Sequence, residues 1–518
     1  MRKGRTGKQV ILRSILSNWV ALAVTAGVSL VMTPLLIHGL GNFYFGLWIL
    51  VGSLVDYYGL LDVGIRTTLQ RFVARLKGQD DRAALNETFA TGLAATGAVS
   101  LLIFALTAGL AAFPAHAWFG IEDGARVLFR QLVLSLGVTV GITVPARLLG
   151  AYLCGLQRFD LYNLAVIVTT LLRAAGMIVA LRLGFGVVGI ALATLAASAA
   201  LFGLNWTLLR WADPAARFRW KGFSVARARE LFGFSVWIFL TTMGDYLRSY
   251  TNALVIGRVL GVALITPFNV AMKMMEYLRF VAVGATGPFM PVMSELDGQQ
   301  REGELRDLFV ASTRMMALLV SFLAWLIVLN GDEFIYLWLG DGFQQSAALS
   351  VILLAGFVVN LVQAPSSALL VARGRHRPLA LWTLGEGIAN VILSIYWAQR
   401  YGLVGVAFGT MVPMVAVKLF VQPWYVLRVM RLSAGRYVRD ALARPLLVNL
   451  VFLGFSAGAG AFARHRGFAE LAVSGAWQTV LFLVLAYAVG LTSSSRDALR
   501  RRVRSVRAQF VPSLPRVW

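Results

Sequence analysis

The chain has 518 residues, of which 58% are apolar and only 14% charged, with a formal net charge of +24. A mean hydropathy of +0.73 is too high for a soluble surface, and no hydrophilic stretch exceeds roughly 25 residues, which excludes a sizeable extramembrane domain. One cysteine, Cys154, excludes an internal disulfide, and four histidines offer little to a zinc site.

The chain therefore reads as an all-α polytopic membrane protein with about fourteen transmembrane helices. Its positive charge is not a nucleic-acid signature. About 35 of the 48 basic residues fall at the N-terminus, in alternate loops and in the tail, whereas the opposite loops carry about seven. That asymmetry places both termini in the cytoplasm, with anionic membrane lipid as the electrostatic partner. Arg2, Lys3, Arg5, Lys8 and Arg13 precede an apolar run too long for a signal peptide, so this is an uncleaved first span.

Span one, about Ile15 to Ile37, ends in the turn His38-Gly39-Leu40-Gly41-Asn42. Span two returns from Phe43 to Val63, with Asp56 inside it and Asp62 near its exit, and a buried acid there is costly. The basic segment Arg66 to Asn86 follows, within which Gln79 to Phe89 is expected to lie amphipathically on the bilayer surface. Spans three to six follow at about Thr88–Phe113, Val127–Leu149, Leu161–Leu181 and Val187–Leu209. The basic loop Arg210 to Glu230, with Arg217, Arg219, Lys221, Arg227 and Arg229, divides the chain in two.

The second half repeats the first. Leu76, Gly78, Gln79, Leu85 and Phe89 recur 220 residues on as Leu296, Gly298, Gln299, Leu305 and Phe309, and Pro145 recurs as Pro365. Gly186, Gly189, Ala191 and Thr194 recur 216 residues on as Gly402, Gly405, Ala407 and Thr410. Six spans per copy give two parallel six-helix repeats, followed by two C-terminal helices at about Pro445–Phe462 and Leu471–Leu491. The expected organisation is a six-helix bundle over 1–212, a basic cytoplasmic linker over 213–231, a second bundle over 232–430, two added helices within 431–495, and a basic cytoplasmic tail over 496–518. The tail carries Arg496, Arg500, Arg501, Arg502, Arg504 and Arg507 at partly helical spacing, as expected of a surface helix on anionic lipid.

Gly184-Phe185-Gly186-Val187-Val188-Gly189 matches G-x-G-x-x-G only in letters, because it lacks the strand and the acid of a dinucleotide site. No Ser/His/Asp, Cys/His or HExxH arrangement is present. The informative residues are ionisable ones inside spans: Asp56, Arg173, Asp245, Arg248, Lys273, Glu276, Arg279, Glu386 and Lys418. Lys273, Glu276 and Arg279 are three apart and share a helix face, as do Asp245, Arg248 and Asn252. Glu276 takes the place of Asp56 at the 220-residue offset.

One reading makes these residues structural ion pairs between helices, and Asp62 with Arg66 is read that way. The other notes three cations, Arg248, Lys273 and Arg279, against two anions in the second half. Surplus positive charge is cheaper facing a wet cavity than facing hydrocarbon, and it attracts anions. On that reading Arg248, Lys273 and Arg279, with Arg173, bind an anionic substrate. Asn252, Asn269, Asn360, Gln363, Asn390, Tyr246, Tyr277 and Trp237 line the same cavity. Asp56, Asp245 and Glu276 are candidates for coupling to H+ or Na+, since a carboxylate between two environments can change protonation with access. No cofactor or metal is expected.

Pro34, Gly41, Tyr44 and Gly46, then Asp62-Val63-Gly64 and Arg71, with the short charged loop and its repeat, resemble the polysaccharide transporter branch of the multidrug/oligosaccharidyl-lipid/polysaccharide (MOP) exporter superfamily. The resemblance covers essentially the whole chain and points to its Wzx-like, O-antigen-type members. It implies a flippase that moves undecaprenyl-pyrophosphate-linked oligosaccharide across the bacterial inner membrane by alternating access, alongside polysaccharide polymerase and export machinery. The pattern of peptidoglycan lipid flippases is not found, and the antiporter carboxylates of the drug-exporter branch have no matching positions.

Two rival classes make different demands. A membrane glycosyltransferase or ligase needs acids in a sizeable outside loop, and here only Glu122, Asp123, Asp332, Glu333 and Asp341 form loose clusters in short ones. A MATE-like drug/cation antiporter favours an acidic, aromatic cavity over one with surplus Arg and Lys.

Overall fold

The computed structural model describes residues 7–62, 64–216, 223–232, 236–287, 289–458, 467–492 and 496–497. Arg2, Lys3, Arg5, Val63, Arg217, Arg219 and Lys221 lie outside them, as do Arg500, Arg501, Arg502, Arg504 and Arg507 of the expected tail helix. No strand occurs among the described residues.

The first half comprises α1 (Gly7–Asp56), α2 (Ile65–Gly78), α3 (Arg82–Ala112), the short α4 (Ala115–Trp118), α5 (Arg126–Gly155), α6 (Phe159–Arg182) and α7 (Gly186–Ala212). Then come α8 (Val225–Phe232), which lies in the expected linker, α9 (Val236–Val259), α10 (Ile265–Thr286), α11 (Phe289–Gly298) and α12 (Glu302–Leu339). The chain continues through α13 (Gln344–Val362), α14 (Ala364–Ala372), α15 (His376–Val415), α16 (Gln422–Met430), α17 (Ala434–Tyr437), α18 (Ala443–Gly458) and α19 (Phe468–Leu485).

Ten segments among the described residues are long and apolar enough to cross a membrane. Two of them, Leu16–Gly78 and His376–Met430, run to 63 and 55 residues, because helices meet end to end at Gly41 and Gly402. α9 and α10 are not among the ten. Their 24 and 22 residues carry Asp245, Arg248 and Arg258, and Lys273, Glu276 and Arg279.

The sequence repeat is also a backbone repeat. Gly41 (φ 77) and Gly261 (φ 101), 220 residues apart, both take the left-handed region that glycine enters without a Cβ clash. Asp80 and Gln300, at the same offset, turn α2 into α3 and α11 into α12 with φ 54 and 55. Each turn is closed by the same bond, Asp81 N–H to Leu76 O at 3.1 Å and Arg301 N–H to Leu296 O at 3.0 Å.

The chain forms two compact units, Met1–Lys273 with His376–Pro413, and Met274–Arg375 with Met414–Trp518. In the first, Ile65, Leu69, Val73 and Leu76 form one buried stripe of α2 and pack with Leu85 and Phe89 of α3 and Leu148, Tyr152 and Leu153 of α5. The amphipathic element is thus α2 rather than Gln79–Phe89, which supplies the turn and the start of α3. Arg66, Arg71, Arg75 and Lys77, read from sequence as loop charges, belong to this helix.

Where α7 ends, Asp213 is 5% exposed and accepts from Arg82 Nη1 at 2.8 and 2.9 Å and from Tyr152 Oη at 2.9 Å. Asp213→Ala is expected to cost about 2–3 kcal/mol, since it strands a buried hydroxyl and a charge-assisted donor, read as a lower thermal midpoint in detergent. Asp213→Asn, which still accepts from Tyr152, falls between the two.

In the second unit α12 holds the two added helices through polar side chains as well as packing. Asn330 donates to Gln478 Oε1 at 2.7 Å, and Trp325 to Asn449 Oδ1 at 3.1 Å. Leu318, Val448, Phe452 and Phe482 fill the space around them.

Candidate functional site

The charged face of α9 is the starting point. Asp245, Arg248 and Asn252 fall at i, i+3 and i+7, so one side of the helix is polar. α15 comes close to it because glycines face each other at the crossing. The Gly387 Cα lies where a Cβ would be only 2.7 Å from the Gly244 carbonyl oxygen, and a Cβ on Gly244 would run into the Thr383 backbone.

That approach sets the next two levels of contact, one helical turn apart. Arg248 Nη1 meets Glu386 Oε1 at 2.7 Å, and Nη2 meets Asp245 Oδ1 at 2.7 Å. The Glu386 side chain is 1% exposed and that of Arg248 14%, so the pair is dry. Above it, Thr410 Oγ1 accepts from Asn252 Nδ2 at 3.0 Å and Asn390 Nδ2 at 2.9 Å, and donates to Val406 O at 3.1 Å.

On the same stretch of α9, Tyr246 and Tyr250 each pack edge to face with Tyr57 at 6.1 Å between ring centroids and with one another at 5.0 Å. Tyr57 Oη is hydrogen-bonded to Thr251 Oγ1. Asp56, Asp62, Arg66 and Arg147 all lie within electrostatic reach of Tyr246. Asp56 and Asp62 are half-buried, Arg66 and Arg147 exposed. The first unit thus has a mixed-charge, tyrosine-bearing face.

The expected site residues divide accordingly. Arg248 is not a surplus cation: Glu386, 138 residues away, is a third anion beside the two counted from sequence, and Arg248 is committed to two carboxylates. Asp245 shares that ion pair. Asp56 is half-buried beside the tyrosines with no direct ion pair among the described residues. On α10, Lys273 and Glu276 are half-buried and Arg279 is exposed.

Arg173 is exposed on α6. Neither Arg173 nor Arg279 makes an ion pair among the described residues. At 1.5 Å per residue the nearer helix end is about 14 Å from Arg173 and about 11 Å from Arg279, so neither is in a terminal turn. Asn252 and Asn390, expected to line a cavity, join helices, and Gln363 bonds to Tyr437 while bordering a cavity of the second unit. Asp62 and Arg66, expected to pair, lie within electrostatic reach of one another without a hydrogen bond or close ion pair.

The motif residues mostly shape backbone. Pro34 lies within α1 ahead of the bend at Gly41, and Gly46 lets the chain pass against the Val262 carbonyl. Gly64 (φ 91) caps α2, and Arg71 stacks over Phe72 at 5.7 Å. Asp62 alone lies near the polar face.

The fold is that of the MOP superfamily. A structure described as the outward-facing conformation of a multidrug resistance MATE family transporter of that superfamily aligns with a TM-score of 0.61 at 17% identity, covering 83% of this chain and 99% of the other. The family model described as "Polysaccharide biosynthesis protein" matches residues 48–348, and the chain belongs to that family. It is similar to the "Uncharacterized membrane protein EpsK" of Bacillus subtilis, 21% identical over 95% of this chain and 97% of EpsK. It is also similar to the "Putative O-antigen transporter" of Salmonella typhi, 21% identical over 76% of this chain and 90% of that protein.

Proposed function

We propose that the chain is a flippase that carries undecaprenyl-pyrophosphate-linked oligosaccharide, an O-antigen, capsule or exopolysaccharide repeat unit, from the inner to the outer leaflet of the bacterial inner membrane by alternating access, without catalysing a reaction. Family membership and the transporter name of a relative support the glycan part of this reading. The observation that carries the anionic part is two arginines set back from their helix ends, Arg173 in the first compact unit and Arg279 in the second, each with no carboxylate partner among the described residues. An arginine at that depth costs several kcal/mol facing lipid and much less in a wet passage, where it draws in a pyrophosphate. The polymerase and export machinery of the same pathway are the proposed partners.

The test is a leaflet assay in proteoliposomes with a pyrophosphate-linked oligosaccharide. Arg173→Gln and Arg279→Gln are each expected to insert normally and to lower transport about 100-fold, the scale of losing one charged contact worth 2–3 kcal/mol. Normal transport by both variants removes the arginines from the pathway and leaves the reading without its site.

Coupling to H+ or Na+ is assigned to Asp56, which with Asp62 is one of two acids of the tyrosine face without a direct ion pair and is the one on α1, ahead of Asp245, which Arg248 holds in an ion pair. Asp56→Asn is expected to abolish the response of transport to an imposed ion gradient while Asp245→Asn acts mainly on stability. An unchanged gradient response in Asp56→Asn sends the assignment to Glu276. The acid-bearing tyrosine face also suits a drug/cation antiporter on the same fold, and efflux of a cationic dye with no movement of the glycan lipid is the result that selects that reading.

A further inference from the structure

In the second compact unit a cavity of about 1020 Å³ opens between the end of the long helical run that finishes in α16 and the start of the first added helix. Its walls are apolar: Leu419, Phe420, Trp424, Leu427, Val438 and Leu442. Both walls depart from α-helix, with π-helical turns at Ala416–Val421 and Val438–Leu442, the kind of local widening that recurs at functional sites. The floor is polar but saturated. Gln363 donates to Tyr437 Oη at 3.3 Å and accepts from Ser366 Oγ at 2.6 Å.

The rim is different. Arg428 and Arg431 border the cavity, are exposed, and make no ion pair among the described residues. Of the acids near the rim, Asp440 is taken by Arg436 and Arg439, and Glu302, within electrostatic reach of Arg431, is paired with Arg373. Arg428 lies over the Trp424 ring at 3.9 Å, so its guanidinium is held at the edge of the apolar wall instead of ranging through solvent. Phe420 and Trp424 are 64% and 53% exposed, which suits side chains that meet hydrocarbon. An apolar slot of this size with two uncommitted guanidinium groups at one end matches a molecule with acyl chains and a single anionic headgroup. The rim also lies in the basic segment from Arg428 to Arg444, on the side where the charge asymmetry places the anionic leaflet.

We propose that this groove holds one anionic phospholipid, its acyl chains along Leu419, Phe420, Leu427 and Val438 and its phosphate between Arg428 and Arg431. The lipid braces α16 against the added helices, and the proposal is independent of what the chain transports.

Native mass spectrometry of the full chain in mild detergent tests it, with phosphatidylglycerol, phosphatidylcholine and undecaprenyl phosphate titrated separately. Phosphatidylglycerol is expected to bind about tenfold or more tighter than phosphatidylcholine, since two arginines act on the net charge. Arg428→Gln with Arg431→Gln is expected to bring it to the phosphatidylcholine level, and Val438→Trp, which fills the slot, to weaken both lipids. Equal retention of the two phospholipids, full phosphatidylglycerol binding by the double arginine variant, or a preference for undecaprenyl phosphate each overturns the assignment. The two arginines are exposed, so that variant decides the matter even if Val438→Trp fails to fold.

Discussion

Arg248→Ala is expected to destabilise the first compact unit by about 3–5 kcal/mol, the scale of leaving a buried charge without its partner. Glu386 is 2% exposed as a residue, so solvent cannot replace the lost guanidinium. Glu386→Gln is milder, because Arg248 keeps Asp245 at 2.7 Å. The informative third variant is Arg248→Met with Glu386→Leu, which removes the buried pair, leaves Asp245 with its 48% exposed side chain to solvent, and should recover most of the loss. Thermal midpoints in one detergent read the series. If Arg248→Ala matches the parent, the ion pair contributes nothing to the α9–α15 contact.

Gly244→Val acts on the same crossing by a different route. Its Cβ would meet the Thr383 carbonyl and lie 2.7 Å from the Leu384 backbone nitrogen, and backbone cannot rotate away as a side chain can. The helices must separate, lengthening the Arg248–Glu386 contact as well, so the expected loss is about 3 kcal/mol or more. Gly203→Ala on α7 is the control, because nothing lies within 4 Å of the added atom, and it should be neutral or slightly stabilising. Equal behaviour of the two variants means the α9–α15 approach is looser than described.

Much of the fold could be read from apolar runs, because a helix in hydrocarbon needs length and little else. α3, α5, α6 and α7 lie within a few residues of their expected spans. The repeat was readable for the same reason, as the left-handed positions that end helices recur with it. Partners were harder. Helical spacing places Arg248 on a face but says nothing of what faces it, and Glu386 lies 138 residues on. Arg147 was missed because it falls two residues from the expected end of span four, where a basic residue looks like a flank. The stripe Ile65, Leu69, Val73 and Leu76 is present in the sequence, yet the four basic residues spread over the rest of that helix make the segment look like a loop.

The two copies also differ at a residue they share. α5 continues unbroken through Pro145 for 30 residues, whereas its counterpart stops at Val362 and restarts at Ala364, with Pro365 in the first turn of α14. At the break, Gln422 Nε2 reaches across to the Gln363 carbonyl at 3.3 Å. The same proline is therefore part of a strut in one copy and of a joint in the other. A load passed along both would bend the second copy first, so a duplicated sequence need not give two mechanically equivalent arms.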